Sequence, residues 1–151
     1  MEKEKSIFNW RKIFIGFCIV IAALAIGAAV FFAFKLHVDA KAALRDAKNV
    51  RMALRSADIE MYAKNMTIYN PQRKNGIEAG VKEKVEQLFV PEGTYTINSY
   101  NKKEHELTGL TYRKGHYIVT FNKSGDKIRW KVDYLFNVYK YDEFDVKLED
   151  D

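Results

Sequence analysis

The chain has 151 residues, with 25 Lys and Arg against 20 Asp and Glu, a formal net charge of +5 and an isoelectric point near 9.2. Aromatic residues make up 14% of it, unlike a disordered chain, which lacks the apolar surface needed to offset chain entropy. Basic and acidic residues are interleaved rather than gathered into a stripe, and no recognisable nucleic-acid module is present, so nucleic acid is not an expected partner.

Residues 1–12 form a short N-terminal tail carrying Lys3, Lys5, Arg11 and Lys12. Residues 13–34 carry no charge, and at ~1.5 Å per residue they span ~33 Å, enough for a hydrocarbon layer of ~30 Å. Trp10, Arg11 and Lys12 at one edge, and Lys35 and His37 at the other, suit the two membrane interfaces. The expectation is an uncleaved, single-pass transmembrane helix with membrane lipid around it. A cleaved signal peptide is the competing reading, because Ala25-Ile26-Gly27 has the look of a small-residue cleavage site. The apolar run continues through Val30, Phe31 and Phe32, however, past the end of a short signal core. The basic tail favours a cytoplasmic N-terminus, but Lys41, Arg45, Lys48 and Arg51 follow on the other side, so charge alone leaves the orientation open. Cys18, the lone cysteine, excludes an intramolecular disulfide and a multi-cysteine metal site.

No glycine or proline occurs between Gly27 and Pro71. Ala40, Ala43, Ala47, Val50, Leu54, Ala57 and Met61 recur at steps of three and four, one apolar face of a helix. Leu36, Ala33, Ala29, Ala25 and Ala22 carry that stripe back into the apolar segment. The pattern predicts one helix over residues 13–68, ended by Asn70 and Pro71, since proline disfavours helical geometry before it and cannot continue the ladder. Ala25, Ala29 and Ala33 form a small-residue row that lets a second helix approach within a membrane. The soluble part of the stripe has a coiled-coil reading and a sheet-packing reading; its alanine content and the sheet that follows favour the second.

Ile77, Val81, Val85 and Leu88 predict a short amphipathic helix ending before Pro91 and Gly93. Strand patterns follow at 94–98, at 107–112 with Gly109 as a candidate bulge, and at 117–121 after a turn at Lys114-Gly115. A turn at 122–126 then leads to the clearest alternation, in which Ile128, Trp130, Val132, Tyr134, Phe136 and Val138 share one face. That apolar face needs a cover, and the alanine stripe supplies one. The expected fold is α+β: a single N-terminal transmembrane helix continues into a long amphipathic helix packed on a C-terminal antiparallel sheet of about four strands. Ala47, Val50, Leu54 and Met61 meet Trp130, Val132, Tyr134 and Phe136 in its helix–sheet core. The soluble domain covers 35–141, and 142–151 is an acidic, solvated tail.

This plan, with the alanine-rich run AKAALRDAKNV at 40–50 and the strand segment YRKGHYIVTFNKSGDKIRW at 112–130, resembles the type IV pilins and pseudopilins. The chain departs from their processing site. Arg11-Lys12-Ile13-Phe14-Ile15-Gly16-Phe17 has no glycine before the apolar start and no glutamate five residues in. The resemblance implies a pilin-like fold on an uncleaved anchor, with the N-terminus cytoplasmic and the domain outside the cell membrane. It also implies an accessory role, with protein partners or self-assembly through the N-terminal helix.

Chemistry has few candidates. His37, His105 and His116 fall in no metal-binding or catalytic spacing, and there is no glycine-rich phosphate loop. His105, between Glu104 and Glu106, reads as an exposed hairpin; Asp39, Asp58 and Glu60 read as the polar side of the long helix. No catalytic, cofactor-binding or metal-ligating residue, no cofactor and no small-molecule substrate is expected. The function expected is a non-enzymatic, membrane-anchored structural or assembly component. Its rival is a membrane-tethered ligand-binding or sensor domain, cystatin-like or of the helix-on-sheet type used in secretion machinery.

Overall fold

Residues with good helix propensity fill the stretch after Gly27, and nothing there breaks the hydrogen-bond ladder. In the computed structural model, which describes residues 10–134 and 139–146, this stretch belongs to α1, Trp10–Tyr62, a helix of 53 residues. It stops short of the expected end at Ile68. Asn65 takes a left-handed conformation with φ of 57°. Its N–H donates to the Tyr62 carbonyl, and the N–H of Met66 donates to that of Met61, both at 2.9 Å. This double closure satisfies the last carbonyls, and asparagine is among the few residues besides glycine that tolerate the conformation. Pro71 lies in the loop beyond and does not end the helix.

The chain divides after His37 into two units. In the first, every side chain of residues 10–35 is exposed, and α1 carries here a stretch long and apolar enough to cross a membrane. Ala25, Ala29 and Ala33 are among the exposed residues.

The second unit holds the rest of α1, a short helix α2 (Val81–Leu88), and strands β1 (Thr94–Asn101), β2 (Glu106–Lys114), β3 (Tyr117–Ser124), β4 (Lys127–Tyr134) and β5 (Tyr139–Val146). The strands form one antiparallel meander in the order β1-β2-β3-β4-β5. Gly115 and Gly125, both with positive φ, each open a two-residue hairpin loop whose twist suits antiparallel strands. The long helix on an antiparallel sheet is the α+β arrangement expected, with one strand more than the four counted in the sequence.

The differences are local. Asp142 to Val146, expected in a solvated tail, pair with Lys131 through Lys127 in β5. An edge strand is held by backbone hydrogen bonds, so its acidic residues do not prevent pairing, and charge on an edge discourages pairing with other chains. The expected run of β4 through Phe136 to Val138 lies outside the described residues. Ile77 is buried but precedes α2; it bridges Tyr69 within the loop.

The core lies between the sheet and one face of α1. Ala40, Ala43, Ala47, Val50, Leu54, Ala57 and Met61 are all buried, as are Leu110, Tyr112, Val119, Phe121, Trp130 and Val132 from the strands. Phe121 and Trp130 are cross-strand partners with ring centroids 4.8 Å apart. From α1, Arg51 lies over the Phe121 ring at 4.5 Å and Lys48 over the Trp130 ring at 5.8 Å. These cations cover the aromatic pair with their stems while their charged ends meet the ring faces.

Candidate functional site

A bulge in β1 sets up the most structured polar site. Tyr95 and Ile97 point into the core, and strict alternation would put Ser99 there next. The β1–β2 register instead shifts on both sides of Ser99, which sits opposite Gly109. A Cβ at Gly109 would sit 2.3 Å from the Ser99 hydroxyl, so a larger residue there requires that hydroxyl to turn aside, and glycine suits the bulge as it stands. The bulge changes the phase of the strand and turns Tyr100 toward α1.

There the Tyr100 hydroxyl reaches the carboxylate of Asp58, 2.9 Å from Oδ1 and 3.0 Å from Oδ2. Asp58 is only 6% exposed. Burial pushes its carboxyl above the ordinary 3.8, while the bonds from Tyr100 and the Ile68 backbone and the charge of His105 pull it back part of the way. The Tyr100 phenol is pushed up by burial and by its bond to Asp58. Nδ1 of His105 lies 3.5 Å from the same hydroxyl, and the imidazole packs on Tyr62 with centroids 4.3 Å apart. His105 takes a left-handed conformation, φ 49°, in the β1–β2 hairpin. Tyr69 stacks on Tyr100 from the loop after α1. Arg51, Arg55, Asp58 and Ile68 face the hairpin residues from Glu104 to Leu107 across a cleft of about 150 Å³.

A second polar tie lies further back along α1. Asp46, 7% exposed, receives a bond of 2.6 Å from the Lys114 ammonium, which also meets Glu92 at 2.6 Å. The two carboxylates raise the Lys114 ammonium above its ordinary value and hold it charged. A shallow groove of about 690 Å³ runs beside β1, bounded by Arg73, Lys74 and Lys82.

Chemically, the Asp58 cluster is a closed arrangement: the carboxylate accepts from Tyr100 and from backbone, and its neighbours engage each other. Among the described residues, no group of three or more His, Cys, Asp or Glu is placed to hold a metal ion. The sequence assigned Asp58 to the polar side of the helix, and the structure corrects this, because Asp58 lies at the border of the buried stripe, one residue past Ala57. The signal was available: an acidic residue four positions after Leu54, on the apolar face, requires a partner. Its partner, Tyr100, was not legible without the bulge. His105 is exposed, as expected of a hairpin residue, but is tied to Tyr62.

Of the helix–sheet residues named from sequence, Ala47, Val50, Leu54, Met61, Trp130 and Val132 are buried together in the second unit. Tyr134 is half-buried, with its ring 4.8 Å from that of Tyr117. Phe136 lies outside the described residues. No protein-family model, curated protein or solved structure matches the chain.

Proposed function

We propose that this chain is a non-enzymatic, membrane-anchored structural or assembly component with a pilin-like fold. Its N-terminus is cytoplasmic, its domain lies outside the cell membrane, and membrane lipid surrounds the apolar half of α1. The observation that carries this reading is that one helix holds both a membrane-length apolar stretch and, further along, the buried face of the soluble core. A chain in which the anchor segment and the core helix are one element suits an assembly component that meets its partners through that helix. The rival reading, a tethered ligand-binding domain of cystatin-like kind, calls for an open concave sheet face. Here Leu110, Tyr112, Val119, Phe121, Trp130 and Val132 are buried, which supports the assembly reading over it.

The test is cysteine crosslinking in membranes after Cys18→Ala removes the native thiol. Ala25→Cys and Ala29→Cys are expected to trap dimers or larger complexes. A strictly monomeric chain at both positions would overturn the assembly role. In intact cells, Lys102→Cys should react with a membrane-impermeant maleimide; protection there until lysis would reverse the orientation.

A further inference from the structure

β1 stands first in the sheet order, so one of its sides has no strand beside it. A free edge offers backbone donors and acceptors to an added chain. The loop after α1 already takes one such place. The Ile97 N–H donates to the Asn75 carbonyl at 2.9 Å, and a Cβ at Gly76 would lie 2.2 Å from the Ile97 carbonyl. Loop backbone therefore lies against the edge at Ile97, whose polar groups face away from β2. Tyr95, two residues earlier with no register shift between them, turns its N–H and carbonyl the same way. Among the described residues, no partner meets either group. The groove of about 690 Å³ opens at this point, lined by Tyr95 and Thr96 of β1, by the loop at Asn75 and by α2. Among the described residues its lining holds three cations, Arg73, Lys74 and Lys82, against one acid, Glu86. Lys82 lies 3.6 Å from Glu86 and Arg73 lies 3.7 Å from Glu78, both longer than a hydrogen bond. Lys74 is exposed and has no partner among the described residues.

We propose that this edge takes up one extended, acidic peptide segment of a partner protein, which adds beside β1 as a strand in line with Asn75. The backbone of the segment bonds to the N–H and carbonyl of Tyr95, continuing the pairing that Asn75 begins at Ile97. A carboxylate on the segment meets the Lys74 ammonium, which breaks no ion pair of the fold. Acid is the matching charge because cations outnumber acids along the groove. Because loop and helix residues line the groove together with the edge, a lone extended segment enters it more readily than the edge of a second folded sheet. One open rung makes for weak binding, so the charge at Lys74 carries a measurable share of it. The site lies wholly within the second unit and does not rest on the membrane-anchored reading.

The experiment uses the full chain in detergent micelles and a fluorescein-labelled peptide of about eight residues that alternates threonine with glutamate, since alternate side chains of an added strand face opposite ways. Anisotropy should rise to saturation, and the affinity should fall as salt is added. Lys74→Glu should weaken binding about tenfold while leaving the far-ultraviolet circular dichroism unchanged, and a peptide with lysine in place of glutamate should bind as poorly. The acidic peptide N-methylated throughout keeps its charge but loses its backbone donors, and it should not bind. Amide hydrogen exchange followed by NMR should show the Tyr95 amide slowed by the peptide, while that of Ile97, already bonded, changes little. Equal binding of the methylated peptide, an unmoved Tyr95 amide, or no saturation up to about 1 mM peptide would overturn the proposal. So would a Tyr95 amide already protected without peptide, with Thr96→Cys in the Cys18→Ala chain linking copies to each other, which marks a second copy as the occupant.

Discussion

The Tyr100 hydroxyl sits 2.9 Å and 3.0 Å from the two carboxylate oxygens of Asp58, and so fastens β1 to the last turns of α1 across 42 residues of sequence. The bond depends on the bulge at Ser99, because without that change of phase Tyr100 would face away from the helix. Tyr100→Phe leaves a buried carboxylate short of a donor and should cost about 1–3 kcal/mol. Chemical denaturation of the full chain in detergent measures it. In the Asp58→Asn background the same substitution should cost less, since no charge is then left unpaired.

The pH dependence of that site has a definite sign. A carboxyl whose folded pKa is raised binds more protons folded than unfolded between the two values. Its contribution to stability is therefore fullest below the ordinary 3.8 and falls as pH rises through the raised folded value. Asp58→Asn removes this slope, so the variant should gain on the parent between about pH 3 and pH 6.5. Denaturation midpoints of the two proteins at both pH values check it. A difference between the two that does not shift in the variant's favour as pH rises means that Asp58 does not titrate with folding.

Lys114 holds the second buried carboxylate. Lys114→Met keeps the stem and removes the charge, leaving Asp46 at 7% exposure without its ammonium. Breaking such a pair one-sidedly should cost about 2–4 kcal/mol. The double change to Lys114→Met with Asp46→Asn should recover more than half of the loss, as read from the same denaturation midpoints. Additive losses would mean that the two groups do not interact.

The parts of the fold legible in the sequence were those carried by a long, regular period. Seven apolar residues from Ala40 to Met61 share a helix face, and Ile128 to Tyr134 alternate strictly, so both elements declare which side is buried. What escaped depended on single residues or on partners far along the chain. Asp46 and Asp58 are acids on an apolar face whose satisfaction comes from Lys114 and Tyr100, 68 and 42 residues away. β5 escaped because Asp142, Glu143 and Asp145 interrupt in the sequence the apolar–polar alternation that revealed β4. The cleft at Asp58 was invisible for the same reason as Tyr100: one extra residue in β1 changes which side chains face the helix.

The end of α1 gives the sharpest case, because the proline that the sequence points to is not where the helix stops. Pro71 is the stronger breaker by propensity, yet the helix closes at Asn65, whose φ of 57° lets the amides of Asn65 and Met66 reach the carbonyls of Tyr62 and Met61. Asn65→Gly keeps that conformation at no steric cost and should leave stability within about 0.5 kcal/mol of the parent. Asn65→Val places a β-branched side chain at positive φ and should cost about 1–2 kcal/mol. Pro71→Ala should lengthen nothing, because the helix has already ended. Circular dichroism at 222 nm with denaturation of the three variants distinguishes the two stops. A rise in helix content for Pro71→Ala, with Asn65→Val tolerated, would assign the stop to the proline instead.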